Sequence, residues 1–154
     1  GVSSLGMKKK DYFKITYDLT MHIAKVLREV NPEMIFTYVS GSGTDSTEQG
    51  KVNWANVKGK TENDLLKLFD KAYMYRPGYI QPTGGLKNTY KIYKLFAPFY
   101  PVWNRLFPAY VCTLKDLGMS MLYVTLNGFK SKVFDNYAIT LTGKRESERL
   151  SQRV

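Results

Sequence analysis

Cysteine and histidine are almost missing: the 154 residues hold one of each, Cys112 and His22. A single thiol excludes an internal disulfide framework and a multi-cysteine metal site. A single imidazole leaves no histidine cluster for a metal and counts against a serine–histidine–aspartate triad. No apolar run approaches the roughly 18 residues that a membrane-spanning helix requires. The stretch GVSSLGMKKK puts its positive charges after its mildly apolar part, the reverse of a secretory signal. These absences set the expectation of a metal-free, cytoplasmic chain, long enough to bury a core as one domain. Acid is also short, with 13 Asp and Glu against 23 Lys and Arg, a formal net charge of +10. Such a surface attracts phosphates on nucleotides, nucleic acid or an anionic membrane. The lysines are dispersed, however, over 8–10, 51–71 and then Lys87, Lys91 and Lys94. Dispersed lysine is usually solvated surface.

What is present is an alternation of periods. Tyr12, Ile15, Leu19, Ile23, Val26 and Val30 recur at steps of three and four, which predicts an amphipathic helix over 10–30 with that row on its buried side. Asn31-Pro32 ends it, because proline disfavours helical geometry in the residue before it. MIFTYVS reads as a short buried strand, GSGTDSTEQG as a loop, and 51–69 as a second helix. KAYMYRPG is a second strand, ended by Pro77-Gly78. Helix, strand, helix, strand is the order of a parallel α/β sheet whose neighbouring strands join through a right-handed crossover.

Residues 79–88 read as a loop. The aromatic stretch that follows, broken by Pro98, Pro101 and Pro108, reads as short helical pieces of a lid or substrate-side layer spanning 79–112. Thr113 opens TLKD, a capping-box pattern with Asp116 in the third helical place, and predicts a helix to about Leu126. KVFDNYAI at 132–139 reads as a late strand. The domain is expected to close near residue 144, with 145–154 a charged, frayed tail.

Ligands of open parallel sheets bind beyond the carboxyl ends of the strands. The first strand delivers Ser40-Gly41-Ser42-Gly43 to that edge and the second delivers Arg76-Pro77-Gly78. Between them, Trp54 and Lys58 stand at i and i+4, on one face of the connecting helix. The combination YVSGSG, W-A-N-V-K, Glu62 four residues after the lysine, and YRPGYIQP resembles the short-chain dehydrogenase/reductase superfamily, in its extended or atypical epimerase-like branch. The resemblance covers residues 1 to about 140.

It implies a Rossmann-like parallel sheet flanked by helices, with only the second half of that fold represented. In that family the serine polarises the substrate, a tyrosine is the acid/base, the lysine holds the nicotinamide ribose, and the Pro-Gly turn lies against the nicotinamide. Carried over, Ser42 takes the substrate serine's place, Lys58 the ribose lysine's, and Pro77 and Gly78 the nicotinamide loop's. Trp54 stands where the tyrosine would be. An indole N–H only donates, whereas a general acid/base must change protonation near the working pH. The implied chemistry is therefore weak, altered or absent hydride transfer in an NAD(P)-dependent oxidoreductase or nucleotide-sugar epimerase-like protein.

The family's glycine-rich strand–turn–helix, which seats a pyrophosphate on a helix N-terminus, has no counterpart in this sequence. NAD or NADP is thus expected only together with that missing half, and the chain is expected to be a fragment of a longer protein. The implied partners are a dinucleotide and a small-molecule substrate, and a homodimer through the helices at 10–30 and 51–69 is compatible with the resemblance. A rival of another class is a basic interaction module. Lys87, Lys91, Lys94 and Arg105 interleave with Tyr90, Tyr93, Phe96, Phe99 and Trp103. That pattern suits an anionic membrane surface better than nucleic acid. His22 and Cys112 are expected to be structural, Cys112 as an inert buried thiol.

Overall fold

The computed structural model describes residues 3–83 and 110–152. The chain forms a mixed α/β structure that divides into two compact units, Gly1–Arg76 and Pro77–Val154.

The first unit opens with α1 (Lys9–Phe13), a π-helical turn (Lys14–Asp18) and α2 (Leu19–Val30), followed by β1 (Phe36–Val39), α3 (Asn53–Leu68) and β2 (Ala72–Tyr75). The two strands pair in parallel, Phe36 with Ala72 through Val39 with Tyr75. Parallel neighbours need a crossover element, here α3. Every residue of β2 is buried, as suits a strand inside a parallel sheet. Leu65, Phe69, Met74 and Tyr75 form the centre of the core with Tyr12 and Ala24. Phe36 stacks on Phe69 with ring centroids 4.7 Å apart.

The helical row expected to face this core does not. Ile15, Leu19, Ile23, Val26 and Val30 are 41–78% exposed, while Tyr12, Thr16, Met21 and Ala24 are buried. The buried set advances by four, then five, then three residues. A step of five overshoots an α-turn but fits a π-turn, which holds an extra residue. The π turn at 14–18 rotates the following helix so that the apolar row leaves the core face. α3 fastens that turn: Tyr17 donates to Asp64 at 2.7 Å, and Lys60 and Lys67 also reach Asp64 at 2.8 and 3.1 Å. Burial would raise the Asp64 carboxyl, but the hydrogen bonds from Lys60, Tyr17 and Lys67 outweigh it and hold it down at about 2.

The second unit contains β3 (Tyr79–Gln81), β4 (Val111–Thr113), α4 (Leu114–Asn127), β5 (Val133–Phe134) and α5 (Asn136–Ser151). Residues 79–81, expected as loop, form a strand because β4 pairs with them in parallel, Tyr79 with Val111 through Gln81 with Thr113. That partner is thirty residues away and invisible to local propensity. The capping box at α4 is present as expected, with Asp116 N–H donating to Thr113 Oγ1 at 2.9 Å and Thr113 N–H to Asp116 Oδ2 at 3.2 Å.

The strand expected over 132–139 shrinks to Val133–Phe134. Asp135 accepts the Ala138 N–H at 2.8 Å and starts a helix instead. The tail expected to fray from 145 is part of α5 as far as Ser151. Its holding contacts are buried ones, Gly143 against the Asp116 backbone and Ser120 to Thr142 at 2.6 Å, and Glu146 pairs with Arg149 within the helix itself. No helix among the described residues is long and apolar enough to cross a membrane.

Candidate functional site

The exit of β1 is built around a buried carboxylate. Glu62 lies on the inner face of α3 with its side chain 1% exposed, and Arg76, at the exit of β2, pairs with it. Arg76 Nε reaches both Glu62 oxygens at 3.1 and 3.0 Å, and its Nη2 also donates to Ser46 Oγ at 2.5 Å. Ser40, immediately after β1, donates its hydroxyl to Glu62 and its N–H to Tyr75 O at 2.8 Å. The Lys58 ammonium donates to the Ser40 carbonyl. A carboxylate, a guanidinium and a hydroxyl thus lock two strand ends to α3, and Lys58 is aimed at the same strand exit one turn earlier on that helix.

Lys58 is half-buried and lines an open cleft of about 450 Å³ with Thr37, Tyr38 and Val39 of β1 and with Ile15, Leu19 and Ile23 of the exposed row. Desolvation lowers its pKa, partly offset by the charge of Glu62. Tyr38 shares the cleft, and burial pushes its phenol up to about 12. Its proton is therefore held more tightly than in water, the opposite of what an acid/base tyrosine near pH 7 needs.

Trp54 sits near the start of α3, with its ring edge 3.4 Å from where a Cβ on Gly43 would stand. Gly43 has φ of +86°, a conformation glycine adopts without strain, and its bare Cα makes room for the indole. Trp54 lines a second cleft of about 330 Å³ with Gly43, Asp45, Gly50 and Val52. Trp54 and Lys58 share a helical face but line different clefts.

Ser42 is exposed in the turn after β1. The serine that joins the Lys58 cluster is Ser40, which sequence reasoning passed over. Its signal was its place as the last residue of the strand run, where a hydroxyl can turn back onto the neighbouring strand. In the sequence Arg76 reads only as a strand exit, and its buried partner Glu62 only as a spacing. Pro77 and Gly78 belong to the second unit. Pro77 is buried, and the Gly78 N–H donates to Asn136 Oδ1 at 3.2 Å, with no space for a Cβ against the Tyr110 carbonyl. Cys112 is buried in β4, and burial raises its thiol to about 12.

The loop between β1 and α3 is held as firmly as the strand exits. Asp45 accepts from Thr47 N–H and Gly50 N–H at 2.9 and 2.7 Å, and its own N–H donates to Ala55 O at 3.1 Å. Gly59 in α3 lets the Asp45 backbone lie directly on the helix, since a Cβ there would overlap the Asp45 carbonyl. Among the described residues no three His, Cys, Asp or Glu side chains gather where a metal could sit. The residues of the rival basic–aromatic reading, Lys87 to Arg105, lie outside the described residues, as does most of the expected lid. No family model matches the chain, and no curated protein matches it.

Chemically, the first unit offers a fixed ammonium at a parallel-strand exit, beside a cleft walled by apolar and hydroxyl side chains. It can orient and hydrogen-bond a ligand. Neither Trp54 nor Tyr38 supplies a proton shuttle at neutral pH.

Proposed function

We propose that this chain is the substrate-side half of a cytoplasmic, NAD(P)-binding protein of the short-chain dehydrogenase/reductase type, in its epimerase-like branch, with weak, altered or no hydride transfer. The observation that carries the proposal is the placement of Lys58: a half-buried ammonium on the crossover helix of a parallel β–α–β unit, tied to the backbone at the exit of β1. Ligands of open parallel sheets collect at such exits. In this reading Lys58 holds the nicotinamide ribose and Ser42 faces the substrate from the exposed turn.

The raised phenol of Tyr38 and the indole at Trp54 support the reduced or absent redox activity. Pyrophosphate binding needs a glycine-rich strand–turn–helix, which this sequence lacks, so the proposal includes such a half supplied by another segment. The test is titration of NAD(H) and NADP(H) into the chain joined to such a half. Saturable binding that weakens in Lys58→Met is expected, and no saturable binding with Lys58 intact would sink the proposal. In the same assembly Trp54→Tyr is expected to raise any hydride-transfer rate, and an unchanged or lower rate would remove the acid/base argument.

A further inference from the structure

The apolar row that the π turn swings away from the core borders the Lys58 cleft. Ile15, Leu19 and Ile23 form one wall, 41%, 52% and 47% exposed, and Val39 on the facing strand is 38% exposed. Large aliphatic side chains at that exposure along one cleft mark a surface that gains by being covered. At about 450 Å³ the cleft falls within the range of about 300–1,000 Å³ typical of small-molecule sites, which are mostly apolar with a few placed polar groups. Among the described residues that line it, Lys58 is the single charged one.

That ammonium has three N–H donors, of which the structure commits one to the Ser40 carbonyl. Among the described residues no carboxylate forms an ion pair with it. Glu62, whose charge reaches it, is already held by Arg76 and Ser40. The cleft therefore presents a partly desolvated cation with donors to spare, at one place in an otherwise uncharged lining.

We infer that this cleft binds a medium-chain aliphatic carboxylate, with the carboxylate on Lys58 and the chain along Ile15, Leu19 and Ile23. Charge complementarity decides the head group: a neutral alcohol leaves the ammonium unpaired, and an alkylammonium opposes it. Wall length sets the tail, since the eight steps from Ile15 to Ile23 rise at most about 12 Å at the α-helical spacing, which an extended ten-carbon chain matches. Thr16, Thr20 and Thr37 add hydroxyls to the lining. The inference goes beyond the dinucleotide reading and does not depend on it; a bound ribose and a bound carboxylate would compete for the same ammonium.

The test uses the 154-residue chain with no dinucleotide. Decanoate, decanol and decyltrimethylammonium are titrated below their micellar concentrations by calorimetry, with the Ile and Leu methyl resonances followed in parallel. Decanoate is expected to bind saturably at one site and to shift the methyls of Ile15, Leu19 and Ile23. Decanol and the ammonium are expected to bind at least about tenfold more weakly, the scale of one partly exposed charge-assisted hydrogen bond. Lys58→Met should bring decanoate down to decanol's level, Lys58→Arg should retain most of its affinity, and Leu19→Glu should abolish binding. No saturable decanoate binding, equal affinity for decanoate and decanol, or unchanged affinity in a folded Lys58→Met variant overturns the inference. Should Lys58→Met not fold, the comparison of the three probes on the unmodified chain still decides. Binding only of an extended apolar peptide, with no response to decanoate, would also overturn it and assign the cleft to a polypeptide partner.

Discussion

Replacing Arg76 by alanine is the sharpest test of how the strand exits are held. Glu62 is 1% exposed, and its carboxylate is met by Arg76 through Nε and Nη2 and by the Ser40 hydroxyl. Without the guanidinium the carboxylate keeps one neutral donor in a site with almost no water. Breaking a buried pair from one side costs about 3–5 kcal/mol. The Arg76 side chain is 21% exposed, so solvent softens the loss and the lower end, about 3 kcal/mol, is expected. Against a total stability of about 5–15 kcal/mol that is a large fraction. Urea unfolding followed by circular dichroism measures it. The control is the double variant Glu62→Leu/Arg76→Met, which removes both charges and leaves apolar volume; it should lose less than Arg76→Ala alone. A single-variant loss under about 1 kcal/mol, or a double variant at least as unstable as the single, would show that the pair is a surface-type ion pair and that Lys58 is not positioned by a buried electrostatic lock.

Gly59→Ala would ordinarily gain up to about 1 kcal/mol of helix propensity. Here its Cβ would lie 2.5 Å from the Asp45 carbonyl carbon, so the loop must lift and a net loss of about 2 kcal/mol or more is expected from the strain and the hydrogen bonds broken; a neutral or raised melting temperature would contradict the packing. The Asp64 carboxyl is held below its ordinary 3.8, at about 2. Its contribution is therefore full above 3.8 and drains away as pH falls toward 2. Asp64→Asn should cost about 1 kcal/mol at pH 7 and progressively less in the acid range, whereas a pH-independent difference would refute the assignment. Cys112, buried with its thiol raised to about 12, should react with a thiol reagent only on unfolding; prompt labelling of the native chain would count against its burial.

The elements with strong local signals were legible. Thr113 and Asp116 announce their helix because a capping box is a four-residue device, and Asn31-Pro32 marks a helix end for the same kind of reason. The parallel pairing of β1 and β2 follows from two short apolar runs joined by a helical stretch. The orientation of the first helical run was not legible. A row at steps of three and four looks core-facing whatever the backbone does, and only the π turn, pinned from α3 through Asp64, turns that row outward. β3 was missed because a three-residue strand owes its existence to a partner thirty residues on. α5 was missed because its buried face is mostly polar, Asn136, Thr142, Gly143 and Glu146 around the single aliphatic Ile139, which reads as tail until it meets a packing partner.

The candidate site divides in the same way. Composition excluded disulfides and multi-cysteine metal sites without any coordinates, and spacing put Trp54 and Lys58 on one helical face, because i and i+4 coincide in any α-helix. Which serine stands beside the lysine, that the indole and the ammonium line different clefts, and that an apolar row borders the Lys58 ammonium were settled by packing. Such contacts join residues 18 to 35 positions apart, and no local pattern encodes them. They depend on where β1, β2 and the π-turned helix come to rest against α3.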